Sequence, residues 1–87
     1  MKEYLKEKAH QLPLTPGVYL MKDATDTIIY VGKAKKLKNR VSSYFINSNQ
    51  HSRKTMRLVK QIIDFDVLHT DTELDALLLE CQLIQQY

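Results

Sequence analysis

Two short runs rich in β-branched and aromatic residues, GVYLMKD (17–23) and TIIYVG (27–32), meet at the polar stretch DATD. Strands this close in sequence pair antiparallel, because a parallel neighbour needs a crossover of a dozen or more residues. A loop of two or four residues centred between Ala24 and Thr25 pairs Asp23 with Asp26, Met21 with Ile28 and Tyr19 with Tyr30. Opposed residues project from one face about 5 Å apart, so the two phenols are expected side by side. A cross-strand packing pair is the plain reading of that juxtaposition, and a shared site is the functional one. An odd-length loop breaks the pairing, so the expectation depends on register.

The hairpin organises the rest of the chain. Residues 1–11 read as a short charged helix that stops before Pro13 and Pro16, since a residue preceding proline leaves the helical region. A second helix is expected over about residues 34–45, with Leu37, Val41, Tyr44 and Phe45 at helical spacing toward a core. Lys33, Lys36 and Arg40 flank that stripe, while Lys35 and Lys38 point away. A polar loop, NSNQHS, leads to a third helix over about 52–63. Its buried arc is expected to be Met56, Val59, Ile62 and Ile63, opposite Arg53, Arg57 and Lys60. DFDVLHT (64–70) alternates as a third strand, and the last helix opens at a capping signal formed by Thr70 with Glu73, or by Asp71 or Thr72. The fold class is α+β: a small three-stranded antiparallel sheet flanked by helices, in a single domain over residues 1–87.

Charge is sharply segregated along this chain. Residues 1–32 hold four lysines and four acids, residues 33–60 hold nine Lys/Arg and no acid, and residues 61–87 hold six acids and no Lys/Arg. The net charge of +3 conceals that middle block. A 28-residue segment at +9 points to a polyanionic partner. Nucleic acid fits better than an anionic membrane, because no Trp or Leu-rich face accompanies the cations. The candidate DNA contacts are Lys35, Lys36, Lys38, Arg53, Lys54, Arg57 and Lys60. The longest apolar runs, among them 28–31 and 76–79, are four residues, far short of a membrane span. Glu3 and Glu7 among the first lysines, with no apolar stretch behind them, argue against a signal peptide. The lone Cys81 rules out an internal disulfide and suits a reducing cytoplasm, where a monomer is expected.

The last helix carries an out-of-place acid. Ala76, Leu77, Leu83 and Ile84 surround the direction of Glu80 on a helix expected to bury most of its circumference, with Cys81 in the core. An ionised carboxylate there is costly unless paired or metal-bound. A salt bridge, or a side chain reaching solvent at the sheet edge, is the alternative to a metal contact. One carboxylate with waters and substrate phosphate is a usual way to hold Mg²⁺. Cys81 with His10, His51 and His69 lacks the paired spacing of a zinc site. With only Gly17 and Gly32 there is no glycine-rich phosphate loop.

GVY (17–19), YVG (30–32), KAKKLKNR and LLLECQLI together resemble the GIY-YIG nuclease domain. The resemblance is nearest to the branch at the N-terminus of a bacterial excision-repair endonuclease, and it covers residues 10–87. It implies metal-dependent hydrolysis of a DNA phosphodiester, on the 3′ side of a lesion in damaged double-stranded DNA. It also implies loading by the partner UvrB, with UvrA involved indirectly. Carried over by position, the resemblance makes Tyr30 the general base and places Tyr19 across the hairpin to orient the nucleophile. Lys33 and Arg40 would favour the Tyr30 phenolate and meet phosphate charge, and Glu80 would bind one Mg²⁺ or Mn²⁺. Gly32 would let backbone approach the substrate, with Tyr44 in the same pocket. Two departures stand out. The branch continues past this helix to a site asparagine, whereas this sequence stops at Tyr87, as expected of a piece of a longer protein; and Asp75 replaces a common glutamate. A non-catalytic basic DNA-binding module and a stand-alone structure-specific nuclease remain as alternatives.

Overall fold

The computed structural model describes residues 2–46 and 51–87, so residues 47–50 of the expected polar loop lie outside the described residues. The elements run α1 (Lys2–His10), β1 (Gly17–Lys22), β2 (Ile28–Ala34), α2 (Leu37–Ser43), α3 (Arg53–Gln61), β3 (Asp64–His69) and α4 (Glu73–Gln86). The sheet order is β2-β1-β3 with both pairings antiparallel, which is the expected α+β architecture.

The hairpin register departs from expectation by two cancelling steps. Asp23 N–H donates to Thr27 O at 3.0 Å and Asp26 N–H to Asp23 O at 3.0 Å, closing a loop of odd length over Ala24, Thr25 and Asp26. Asp26 takes φ 63°, the left-handed position such a loop needs and one that aspartate tolerates. Asp23 Oδ1 tightens the turn by accepting from the Thr25 and Thr27 amides and from Thr25 Oγ1. Alone, this loop would set Tyr19 opposite Val31 and turn Tyr30 to the other face. The pairing instead slips once more, from Lys22↔Ile28 to Met21↔Tyr30, leaving Ile29 as the extra residue of a bulge. Tyr19 therefore opposes Gly32 rather than Tyr30, yet both tyrosines project from one face.

That face carries the main core. Tyr19, Met21, Ala34 and Phe65 from the sheet pack with Leu5 and Ala9 of α1, with Leu37, Val41, Tyr44 and Phe45 around α2, and with Ile62. The expected stripe of α2 is thus buried, although the helix starts at Leu37 rather than near residue 34. The strand keeps pairing as far as Ala34, opposite Gly17. The first amides of α2 find acceptors outside the helix: Leu37 N–H donates to Thr15 O at 3.0 Å and Lys38 N–H to Pro13 O at 3.1 Å. Lys8 closes the far side of this core, donating to Asp64 Oδ1 and to Phe65 O at 2.7 Å each.

The opposite face is covered by α4, which packs across β1 and β2 over Val18 and Leu20. Thr72 is its cap, its side chain accepting from the Asp75 amide. Here the expectation of a mostly buried helix fails, since only Ala76 is buried on α4, and Cys81 is exposed rather than core. A helix on one face of a three-stranded sheet has a single neighbour, so its outer side stays in water.

The helix α3 also turns out differently. Ser52 caps it through the Thr55 amide at 3.1 Å, and Leu58, Val59 and Ile62 face the core while Met56 and Ile63 are exposed. The buried arc is rotated by about 60° from the expected one, at about 100° per residue. That rotation sets Arg53, Arg57 and Lys60 directly opposite the core, all exposed.

Candidate active site

Three tyrosines form a cluster where β1, β2 and α2 meet. Ring centroids lie 6.1 Å apart for Tyr19–Tyr30, 5.7 Å for Tyr19–Tyr44 and 6.5 Å for Tyr30–Tyr44, within the range of attractive aromatic packing. Tyr19 and Tyr44 are buried and share a hydroxyl–hydroxyl hydrogen bond of 2.7 Å. Arg40 Nε donates to Tyr19 Oη and Arg40 Nη2 to Tyr44 Oη, each at 3.3 Å. Its guanidinium also lies 5.2 Å from the Tyr44 ring centre. Positions 40 and 44 are one helical turn apart, which lets one side chain of α2 brace the other.

Burial pushes both inner phenols above the usual tyrosine range. For Tyr19 the hydrogen bonds to Tyr44 and Arg40 act in the opposite direction but only in part. The bond to Tyr19 raises the Arg40 pKa, so this guanidinium stays charged. Tyr30 is different in kind. It is 39 % exposed, and its hydroxyl has no hydrogen-bond partner among the described residues. The cluster therefore presents one free phenol and one fixed cation to solvent.

Two expected roles change with this geometry. Arg40 gives its hydrogen bonds to Tyr19 and Tyr44 and acts on Tyr30 only through charge, across the cavity they share. Lys33 leaves β2 on the face opposite Tyr30, because pleat alternation sends positions 30 and 33 to opposite sides. Gly32 also has another use than substrate approach. A Cβ there would land on Cζ and Oη of Tyr19, so the glycine makes room for the phenol that crosses it.

Arg40 lines three adjoining cavities. One, about 490 Å³, runs between α2 and α4 past Lys33, Lys35, Lys36, Asn39 and Ser43, with Glu73 and Ala76 on its far side. The expected flank of Lys33, Lys36 and Arg40 is thus brought together, with Lys35 added. Lys38 does not join it. A second, about 290 Å³, brings Lys54 and Thr55 of α3 beside Tyr30, Arg40 and Tyr44. The third includes Ser43, Tyr44 and His51, whose Nε2 lies 2.9 Å from Ser43 O. Asn39, Ser43 and His51 carry no pattern in the sequence that marks them as cavity residues; only the crossing of α2 with its neighbours puts them there. Arg53, Arg57 and Lys60 are exposed on α3 and line none of these three cavities.

Glu80 is half-buried on α4, on the sheet-facing side of that helix. It forms no ion pair or hydrogen bond with another described residue. No group of three or more His, Cys, Asp or Glu that could cage a metal occurs among the described residues. A single unpaired carboxylate is a donor set for a hard cation that keeps most of its waters, such as Mg²⁺. Lys33 leaves β2 toward the face that α4 covers. The edge strand β2 therefore has the phenols on one side and Lys33 with α4 on the other, and Arg40 reaches both, lining the cavity it shares with Lys33 and α4 as well as the one beside Tyr30.

Comparison with known proteins agrees with this fold. Residues 15–87 match the family model for the UvrC-like GIY-YIG domain. The chain is 58 % identical over 85 residues to UvrABC system protein C of Desulfitobacterium hafniense, covering 98 % of this chain but 14 % of that protein. Among solved structures it matches the magnesium-bound GIY-YIG N-terminal endonuclease domain of UvrC from Thermotoga maritima. The TM-score is 0.87 at 36 % identity, covering 100 % of this chain and 93 % of that one. A variant of the same domain with an asparagine replaced by alanine, bound to its catalytic divalent cation, matches with TM-score 0.87 at 36 % identity, covering 100 % and 92 %. With the family model matched over most of its length and a relative 58 % identical over 98 % of it, the chain belongs to the UvrC-like GIY-YIG domain family.

Proposed function

We propose that this chain is the nuclease domain of an excision-repair incision subunit, hydrolysing a DNA phosphodiester on the 3′ side of a lesion. The observation that carries the reading is the contrast among the tyrosines: two are buried and tied to Arg40, and the third is exposed, its hydroxyl without a hydrogen-bond partner among the described residues. Tyr30 is the proton acceptor for the attacking water. Tyr19 and Tyr44 hold the ring of Tyr30 and fix Arg40, whose remaining guanidinium donors face the cavities where a phosphoryl group enters. Positive charge fixed in advance at that position stabilises the negative charge that builds on the phosphoryl oxygens during in-line attack.

Glu80 would hold one Mg²⁺ or Mn²⁺, which supplies Lewis-acid stabilisation of the phosphodiester. Lys33, on the same side of β2, adds a second positive charge. Lys35, Lys36 and Lys54 border the cavities, while Arg53, Arg57 and Lys60 extend the positive surface along α3, as a tracked phosphate backbone requires. Lys38, half-buried in the first turn of α2, contributes long-range charge. The chain spans about one seventh of the curated relative, 14 % of its length. Loading onto lesion DNA by UvrB, with UvrA upstream and the cytoplasm as the compartment, belongs to this proposal for the whole protein.

The test is nicking of lesion-bearing duplex by the full-length protein with UvrB and Mg²⁺. Tyr30→Phe and Glu80→Ala are expected to abolish the 3′ incision while leaving DNA binding intact. Incision that persists in both variants would overturn the assignment and leave a basic DNA-binding module.

A further inference from the structure

The helix α4 is apolar on two opposite sides. Its inner arc, Ala76, Leu79 and Leu83, lies toward β1 and β2. Its outer arc carries Leu74, Leu77, Leu78, Cys81 and Ile84 at the i, i+3, i+4, i+7 and i+10 positions. Leu74 is 64 % exposed, Leu77 40 %, Leu78 56 % and Ile84 54 %, and Cys81 is exposed as well. A helix apolar around its circumference belongs in an interior, whereas here only one side is covered. The outer spacing is that of a seam filled by a second helix. At its far end Ile84 continues into an apolar groove of about 310 Å³ with Ile28, Ile29, Tyr30, Val31 and Tyr87 along the free edge of β2.

We propose that the outer face of α4 docks an amphipathic helix of a protein partner, one with aliphatic side chains on the seam and Lys or Arg on its flanks. Charge selects that partner. Asp75 borders the stripe on one side, Glu73 and Glu80 on the other, and residues 61–87 contain no Lys or Arg. Only Glu73 has a cation near it, Lys35 at 3.7 Å; Asp75 and Glu80 have none among the described residues. A second copy of this chain is a poor occupant for two reasons. Two acidic α4 faces repel each other across a seam. A helix of this length, about 21 Å, also offers far less than the ~800 Å² per partner that a stable dimer buries. None of the α4 stripe residues belongs to the tyrosine–arginine cluster, although Tyr30 lines the groove at its end, so the inference rests on the stripe and not on the nuclease reading.

The test uses two designed peptides of about three heptads, each with Leu at the seam positions, one flanked by Lys and the other by Glu. Each is titrated into the isotopically labelled chain. The Leu/Lys peptide is expected to shift the amides from Leu74 to Ile84 saturably, and the Leu/Glu peptide to leave them unchanged. Leu78→Asp, exposed and therefore compatible with the fold, should weaken binding at least about tenfold although it adds a negative charge. Leu74→Asp repeats the measurement independently, with circular dichroism confirming the fold of each variant. Equal or tighter binding by these variants would reduce the effect to charge attraction and overturn the proposal. So would absence of saturation, equal binding of the Leu/Glu peptide, or a peptide-free dimer in sedimentation that Leu78→Asp dissolves.

Discussion

The phenol of Tyr19 lies across Gly32, its cross-strand partner, in the space a side chain would otherwise fill. Gly32→Ala forces that phenol to move, and Tyr19 cannot move without disturbing its 2.7 Å bond to Tyr44. Overpacking of this kind costs about 1–3 kcal/mol. Chemical denaturation should show a midpoint lowered accordingly, with incision lost in the same variant. Wild-type stability in Gly32→Ala would mean the ring has room to spare.

Tyr30→Phe and Tyr44→Phe remove one oxygen each but should separate in their effects. The Tyr30 hydroxyl has no partner among the described residues, so its loss leaves unfolding unchanged within ~0.5 kcal/mol while abolishing incision. Tyr44 bonds both Tyr19 and Arg40, and its loss should cost about 1–3 kcal/mol in addition to activity. Matched denaturation curves for the two variants decide this, and equal destabilisation would contradict it.

Removal of the acid on α4 bears on the metal alone. Glu80→Gln keeps the shape and hydrogen-bonding reach of the side chain but not its charge. Calorimetric titration with Mn²⁺ should show binding to the native chain and at least a tenfold weaker interaction, about 1.4 kcal/mol, in the variant. Stability without metal should stay level or rise, because the half-buried charge is unpaired among the described residues.

Alkaline pH should loosen the fold through the buried phenols. Tyr19 and Tyr44 titrate above the ordinary tyrosine value because burial disfavours their charged forms. The unfolded chain loses these protons near pH ~10 while the folded chain keeps them. Stability is therefore fully present below about pH 10 and falls as pH rises beyond it. Urea midpoints measured between about pH 8 and 12 should decline in the native chain and decline less in a Tyr19→Phe, Tyr44→Phe double variant. An unchanged slope in that variant would assign the decline to other groups.

Salt dependence should report the cationic face of α3. Each phosphate contact contributes about −0.9 to the slope of log K against log salt on duplex DNA. Replacing Arg53, Arg57 and Lys60 together by alanine should make that slope shallower by about 2.7 for the complex of the whole protein. A slope that does not change would place the DNA path elsewhere, along the groove beside Lys33 and Lys36.

The stripe of α2 was readable in the chain because four apolar residues at helical spacing have one way to meet a core. The segregated charge was equally plain, since no acids interrupt residues 33–60. The hairpin register was not, because composition does not show whether a strand carries one extra residue, and the bulge at Ile29 depends on how β2 meets the rest of the sheet. Periodicity also failed on α4. It reports which sides of a helix are apolar but not how many neighbours exist to cover them, and a three-stranded sheet supplies only one. The hydrogen bonds of Arg40 were not legible for a related reason: sequence places Arg40 near the hairpin without saying which of three phenols its fork reaches.

The bulge at Ile29 absorbs the odd residue of the hairpin. Met21 faces Tyr30 whatever the length of the tip, so changes within Ala24–Asp26 leave the phenol in the aromatic trio as long as Asp23 still meets Thr27. Deleting Ile29 would likewise run Lys22↔Ile28 straight into Met21↔Tyr30. Ironing out the slip with Ile29 retained is different: it sets Met21 opposite Ile29, turns Tyr30 to the side covered by α4, and should silence the domain even where it folds.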